Sequence, residues 1–243
     1  MKNYKIFYII SPTLIIIALI LGLSFKTAIE TRSNIKVTGS AKRDFVSDII
    51  VWESKFGTKN IQLEAAYKKL DKDREIIKNY LVNNNIPEDD FIFSSIEISK
   101  DYENKTDRDG IRMREFKGYV LAQNLKIESS AVDKIEYLSR DITILIDSGI
   151  EIQSQQPYYF YSKLADLKID MISEATKDAK LRATKIAESA ESSLGDLLNA
   201  QMGVFQIIAK NSTENYSWGG RHNKTSKHKT ATVTMKLSYD IGL

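Results

Sequence analysis

The segment Tyr158–Gly195, YYFYSKLADLKIDMISEATKDAKLRATKIAESAESSLG, decides how the rest of the chain is read. Ala175, Ala179, Ala183 and Ala187 recur at every fourth residue, a spacing that keeps a row near one face of a helix. A row of methyl groups lets a neighbouring backbone come close. Leu164, Leu167, Met171, Ile172, Ile186 and Leu194 widen the apolar side, while Lys168, Asp170, Lys177, Asp178 and Lys185 read as the solvated side. With Ser162 as N-cap, the segment predicts the longest helix of the soluble part, packed on a sheet. The aromatic run Tyr158, Tyr159, Phe160 and Tyr161 precedes it. Adjacent aromatics in a strand point to both faces, so this run is a candidate interaction surface.

Upstream of that helix, Ile35–Ala41 and Asp48–Gly57 read as strands, with Trp52 in the core. A helix follows from Ile61 to Val82, capped by Asn60, with Glu64 and Lys68 as a surface pair. Phe91–Asp101 and Arg112–Glu128 read as a hairpin over the polar turn Asn104–Gly110. Ser130-Ala131-Val132-Asp133, a capping-box variant, opens a helix to Ser148. Its predicted buried face is Val132, Ile135, Leu138, Ile142, Leu145 and Ile146, and Gly149 ends it. Ile150–Gln156 is a short strand. Asn199–Lys210 and Lys229–Asp240 read as closing strands, the second with Val233, Met235, Leu237 and Tyr239 on one face. The order predicts an α+β fold: antiparallel-rich sheets with three packing helices, the alanine-striped one near the C-terminus. One functional domain spans 35–243, with two lobes, about 35–128 and 129–243, as the finer division.

Three stretches resemble the bacterial SIMPL-domain family. Ala175, Ala179, Arg182, Ala183, Ala187, Leu194 and Gly195 match its alanine-rich helix and following L-G; Val37-Thr38-Gly39-Ser40-Ala41 is similar to its opening strand; Gly118-Tyr119-Val120-Leu121-Ala122-Gln123-Asn124 is similar to its G-Y-x-A-x-N strand. Ser192 or Ser193 stands where many members carry glycine. The resemblance covers roughly residues 35–240. It implies an envelope protein with a stress-response or signalling-associated role, and it hands over no catalytic site.

The first 27 residues stand apart. Lys2 and Lys5 precede an apolar run from Ile6 to Phe25, and about 20 apolar residues suffice to span a bilayer. No clean small-residue cleavage site follows. Residues 1–27 therefore read as a signal anchor, with a cleaved signal peptide as the alternative, and 28–34 as a tether. The lysines place the N-terminus inside, so the domain is expected outside the cytoplasm, anchored to the cytoplasmic membrane, or soluble in the periplasm if cleaved. The chain has no cysteine, which excludes disulfides and thiol chemistry. Its net charge is +3; setting aside Lys2, Lys5 and Lys26 leaves 32 basic against 32 acidic residues. Nothing in that balance draws the domain to nucleic acid.

Candidate chemistry is sparse. The sequence holds no G-x-S-x-G, Walker, G-x-G-x-x-G or H-E-x-x-H motif. His222 and His228, the only histidines, lie in or beside the polar loop Asn211–Lys227, and two ligands on a loop fall short of a dedicated metal site. Asp107-Arg108-Asp109-Gly110 lacks the remaining ligand positions of a calcium loop. No metal, cofactor or catalytic residue is expected. The loop is basic, with Trp218, Arg221, Lys224, Lys227 and Lys229 as a second candidate surface for lipid, polymer or a partner. The reading is a non-catalytic, self-assembling envelope protein, with a ligand- or polymer-binding module and an enzyme of unrecognised class as alternatives.

Overall fold

The computed structural model describes residues 17–18, 34–106, 112–213, 217 and 219–242. The leader and tether lie outside these, apart from Ile17, Ala18 and Asn34, as do the Asp107–Gly110 turn, Tyr216 and Trp218. Among the described residues no helix is long and apolar enough to cross a membrane.

The fold is α+β. The elements in chain order are β1 (Asn34–Val46), β2 (Ile49–Asn60), α1 (Leu63–Asn83), β3 (Phe91–Phe93), β4 (Glu97–Thr106) and β5 (Arg112–Ser129). They continue with α2 (Val132–Asp141), β6 (Glu151–Ser154), β7 (Tyr158–Phe160), α3 (Leu164–Ser189), β8 (Ser193–Met202), β9 (Gln206–Ala209) and β10 (His228–Gly242). The chain divides into two compact units. Unit 1 comprises the described residues of Met1–Ala41, Ile172–Gly203 and Val233–Leu243; unit 2 comprises those of Lys42–Met171 and Val204–Thr232. This is a different partition from a cut near Glu128, because each unit draws on separated segments.

Unit 2 is built on antiparallel pairing of β2 with β5, with β6 and β7 on the other side of β2 and β3 and β4 on the other side of β5. The alternation in β2 turns Ile50, Trp52, Ser54 and Phe56 inward, all buried. Ala66, Leu70, Ile77 and Leu81 of α1 and Ile135 and Leu138 of α2 join the same core. The Trp52 Nε1–H donates to Ser154 Oγ at 3.0 Å, so the indole is buried with its donor satisfied. Glu64 and Lys68 form the expected surface pair at 2.7 Å.

The predicted caps are used otherwise. Asn60 Oδ1 accepts from the Gln62 N–H at 2.9 Å, and α1 starts after Gln62 with no side-chain cap. Likewise α2 follows Ala131 without one, so the Ser130 box does not form. The helix predicted to Ser148 becomes α2 and then a 3-10 stretch, Ile142–Ser148, closed by Gly149 in the left-handed region (φ 74°). A 3-10 turn holds about 3.0 residues instead of about 3.6. Ile142 and Leu145 stay buried, while Ile146 swings out to solvent. Ser162 gives its N–H and hydroxyl to the Asp48 carboxylate at 2.7 and 2.6 Å, and α3 begins at Leu164.

Unit 1 places its part of α3 on a sheet ordered β1–β10–β8. Ala175, Ala179, Ala183 and Ala187 are buried, as are Val233, Met235, Leu237 and Tyr239. Ile186, predicted on the apolar side, is exposed. The stripe serves close approach. A Cβ placed on Gly39 of β1 would stand 2.2 Å from the Ala175 carbonyl oxygen and 2.3 Å from the Ala179 nitrogen. The Ser40 N–H then donates to Asp178 Oδ2 at 2.8 Å, tying strand to helix.

α3 ends in a left-handed turn at Glu191 (φ 55°), with the Ser192 N–H reaching the Ala187 carbonyl at 2.9 Å. The position that favours glycine is thus Glu191, earlier than Ser192 or Ser193. Glu191→Gly is expected to stabilise the protein by about 0.5–1 kcal/mol, the left-handed penalty of a residue with a Cβ less the added freedom of the unfolded chain. The midpoint of urea unfolding checks this; an unchanged or lower midpoint would count against strain at the turn.

Candidate functional site

Two places in the fold have chemistry to offer, one in each unit. In unit 2 the structure brings together the aromatic run and the basic loop. β7 pairs with β2, Ile50 opposite Tyr159. The run alternates: Tyr159 is 7% exposed and belongs to the core, whereas Tyr158 and Phe160 are 44% and 36% exposed. As a contact surface the run is therefore reduced to Tyr158, Phe160 and the half-buried Tyr161, whose ring packs 4.9 Å from that of Phe45.

The basic loop is held by main-chain bonds. The Ile207 N–H donates to the Arg221 carbonyl at 2.7 Å and the Asn223 N–H to the Ile207 carbonyl at 2.9 Å, fastening the segment to β9. The Tyr159 N–H donates to the Lys224 carbonyl at 2.7 Å. Its basic side chains are also engaged. Lys227 pairs with Asp133 and Glu136 of α2, and Lys210 with Asp44 at 2.9 Å. Lys224 Nζ stands 6.0 Å above the Phe160 ring. Arg221 is exposed, and Trp218 lies outside the described residues.

Lys229 is the exception. It enters β10 with its side chain turned inward and is 4% exposed. Its ammonium donates to the Tyr159 carbonyl, and among the described residues no carboxylate pairs with it. Burial alone pushes its pKa down to about 8. Beside it is a cavity of about 100 Å³, bounded by Phe45, Tyr161, Leu164 and Ile207 and by His222, Asn223 and Lys224. His222 is exposed on one side; partial desolvation first, and then the charges of Lys168, Lys229 and Lys224, hold it below the usual imidazole range. Among the described residues no three His, Asp or Glu side chains converge as metal ligands.

In unit 1 the place is the β8 edge. β10 neighbours β1 on one side and β8 on the other, so β8 is terminal. The register sets Met202, Ala200 and Leu197 opposite Met235, Leu237 and Tyr239, hence on the face that is buried in β10. Yet Leu197 and Met202 are 51% and 53% exposed, and Ala200 is exposed too. The core face thus runs past its helix cover. Between Lys180, Thr184 and Glu188 of α3 and Leu194–Leu197 of β8 lies an open groove of about 700 Å³, with Tyr239 in it. Alternation shows which side of a strand is apolar and is silent on what covers it.

The family model SIMPL, described as a protein of unknown function (DUF541), matches residues 35–238. The chain belongs to the SIMPL family. The match runs from β1 into β10 and takes in both places described above. The residues that carried the resemblance, Gly39, Ala175 and Ala179, are those at which the SIMPL strand and helix touch. No curated protein matches the chain.

Proposed function

We propose that this SIMPL protein is a non-catalytic, self-assembling component of the cell envelope, in which β8 of one copy adds to β8 of a second. The N-terminal segment anchors it to the cytoplasmic membrane with the domain outside, and it serves a stress-response or signalling-associated role, as the family resemblance suggests.

The observation that carries the assembly is the contrast between two edges. β4, the outer strand of unit 2, is exposed at every position but the half-buried Asp101 and bears Glu97, Lys100, Asp101, Glu103 and Lys105. Charges of this kind guard an edge against pairing with another chain. β8 is equally exposed along Asp196–Met202 and bears one charge, Asp196, beside Leu197, Leu198 and Met202. An unguarded apolar edge suits a partner strand, and an antiparallel pair of identical strands closes on a two-fold axis. A second copy so placed would also extend the apolar face that α3 leaves open.

Leu197→Lys combined with Met202→Lys is expected to lower the mass of the full chain in mild detergent, measured by light scattering over a dilution series. Both residues are exposed, so unfolding should shift by no more than about 0.5 kcal/mol each. A wild-type chain that is monomeric throughout, or a double variant of unchanged mass, would overturn the proposal.

A further inference from the structure

The surroundings of Lys229 pose a question that assembly through β8 does not answer. An ammonium has three N–H donors, and the Tyr159 carbonyl takes one. The nearby carboxylates are committed elsewhere: Asp44 to Lys210 and Thr230, Asp48 to Ser162, Asp133 and Glu136 to Lys227. A buried cation without a counter-charge is costly, and a norleucine-like side chain such as methionine would fill the same space without that cost. The adjoining cavity compounds the imbalance, since Lys224 borders it and no acidic side chain does among the described residues. The other walls are ring and aliphatic surface from Phe45, Tyr161, Leu164 and Ile207, together with the polar side chains of His222 and Asn223. Leu164 opens the 26-residue helix α3, whose first turn adds the positive end of its dipole.

These features select a ligand. The excess positive charge calls for an anion. The apolar walls call for a hydrocarbon part, which inorganic phosphate lacks. The cavity is small, about 100 Å³, and partly open to solvent, which favours a short chain over a nucleotide. We propose that the cavity binds a short-chain monocarboxylate, its carboxylate on the Lys229 ammonium and its tail against Phe45, Tyr161 and Ile207. The carboxylate supplies the missing counter-charge, and the tail replaces water on the aromatic walls.

The test is thermal unfolding and calorimetry of the full chain with sodium butyrate, with butyramide as its uncharged counterpart, and with inorganic phosphate, all at matched ionic strength. Butyrate is expected to raise Tm saturably, as a ligand of the folded state must, while butyramide and phosphate do not. Lys229→Met is expected to weaken butyrate binding about tenfold or more, the loss that follows removal of one partner of a buried charge pair. Absence of a saturable butyrate effect would overturn the proposal. So would equal binding of butyramide, a response to phosphate alone, or undiminished binding by Lys229→Met. The butyrate–butyramide comparison uses only the wild-type chain, so it decides even if the variant folds poorly.

Discussion

Gly39→Ala is expected to cost unit 1 about 3 kcal/mol or more, among the largest losses a single added methyl can cause. The atoms in its way belong to the α3 main chain: the Ala175 carbonyl oxygen at 2.2 Å, the Ala179 nitrogen at 2.3 Å and the Ala179 Cα at 2.7 Å. No rotamer change moves them. Either α3 withdraws from β1, opening the layer of Ala183, Val233 and Leu237, or the strand shifts and loses the Ser40 bond to Asp178. Trimming the helix should not help. Ala179→Gly leaves the offending nitrogen and Cα in place and weakens the helix by about 1 kcal/mol. The double variant is therefore expected to be less stable than Gly39→Ala alone. Urea unfolding of the three variants checks this, and a rescue by Ala179→Gly would show that side-chain crowding, not backbone contact, sets the spacing.

Lys229→Met is expected to act in the opposite direction, stabilising the protein at pH 7 by about 1–2 kcal/mol. The folded-state pKa of Lys229 is about 8 against an ordinary 10.5. Below pH 8 the lysine is charged in both states, and the folded state bears the whole penalty of burying the charge. Between pH 8 and 10.5 the folded chain has released a proton that the unfolded chain still holds, so stability attributable to this residue rises with pH. Above that window the penalty is gone. A shift of this size corresponds to at most about 3 kcal/mol, from which the lost bond to the Tyr159 carbonyl subtracts about 1. The difference in unfolding free energy between wild type and variant should thus be largest at neutral pH and shrink toward pH 10.5. A pH-independent difference would mean that packing, not charge, separates the two. Retention of a destabilising lysine is what a binding group at this position would explain.

Much of the fold was legible because it is local. The four-residue spacing of Ala175 to Ala187, the alternation of Val233 to Tyr239 and the aromatic Trp52 in a two-sided strand each report a buried face, and each is buried. Caps were misread where a short polar side chain had another partner, distant or local. Ser162 went to Asp48, 114 residues away in sequence, and Asn60 to the turn before α1. Ile146 was misplaced because the change from α to 3-10 geometry alters the period within one helix.

The sites are another matter. The charges of the basic loop read as one candidate surface, yet the fold sends Lys227 to α2 and Lys229 into the interior. Tyr159 and Phe160 are neighbours in the chain and belong to opposite faces of β7. A shift in register puts Leu197 on the same face of β8 as Ala200 and Met202, and only the terminal place of β8 beside β10 makes Leu197 and Met202 an open edge. By itself the sequence determined the family, the α+β class and most of the apolar face of α1, α3, β2 and β10, since periodicity and side-chain volume are properties of neighbouring residues. Only the tertiary structure decided which apolar face is left uncovered and which cation is left, among the described residues, without a carboxylate partner, because both depend on partners that the chain brings in from far along its length.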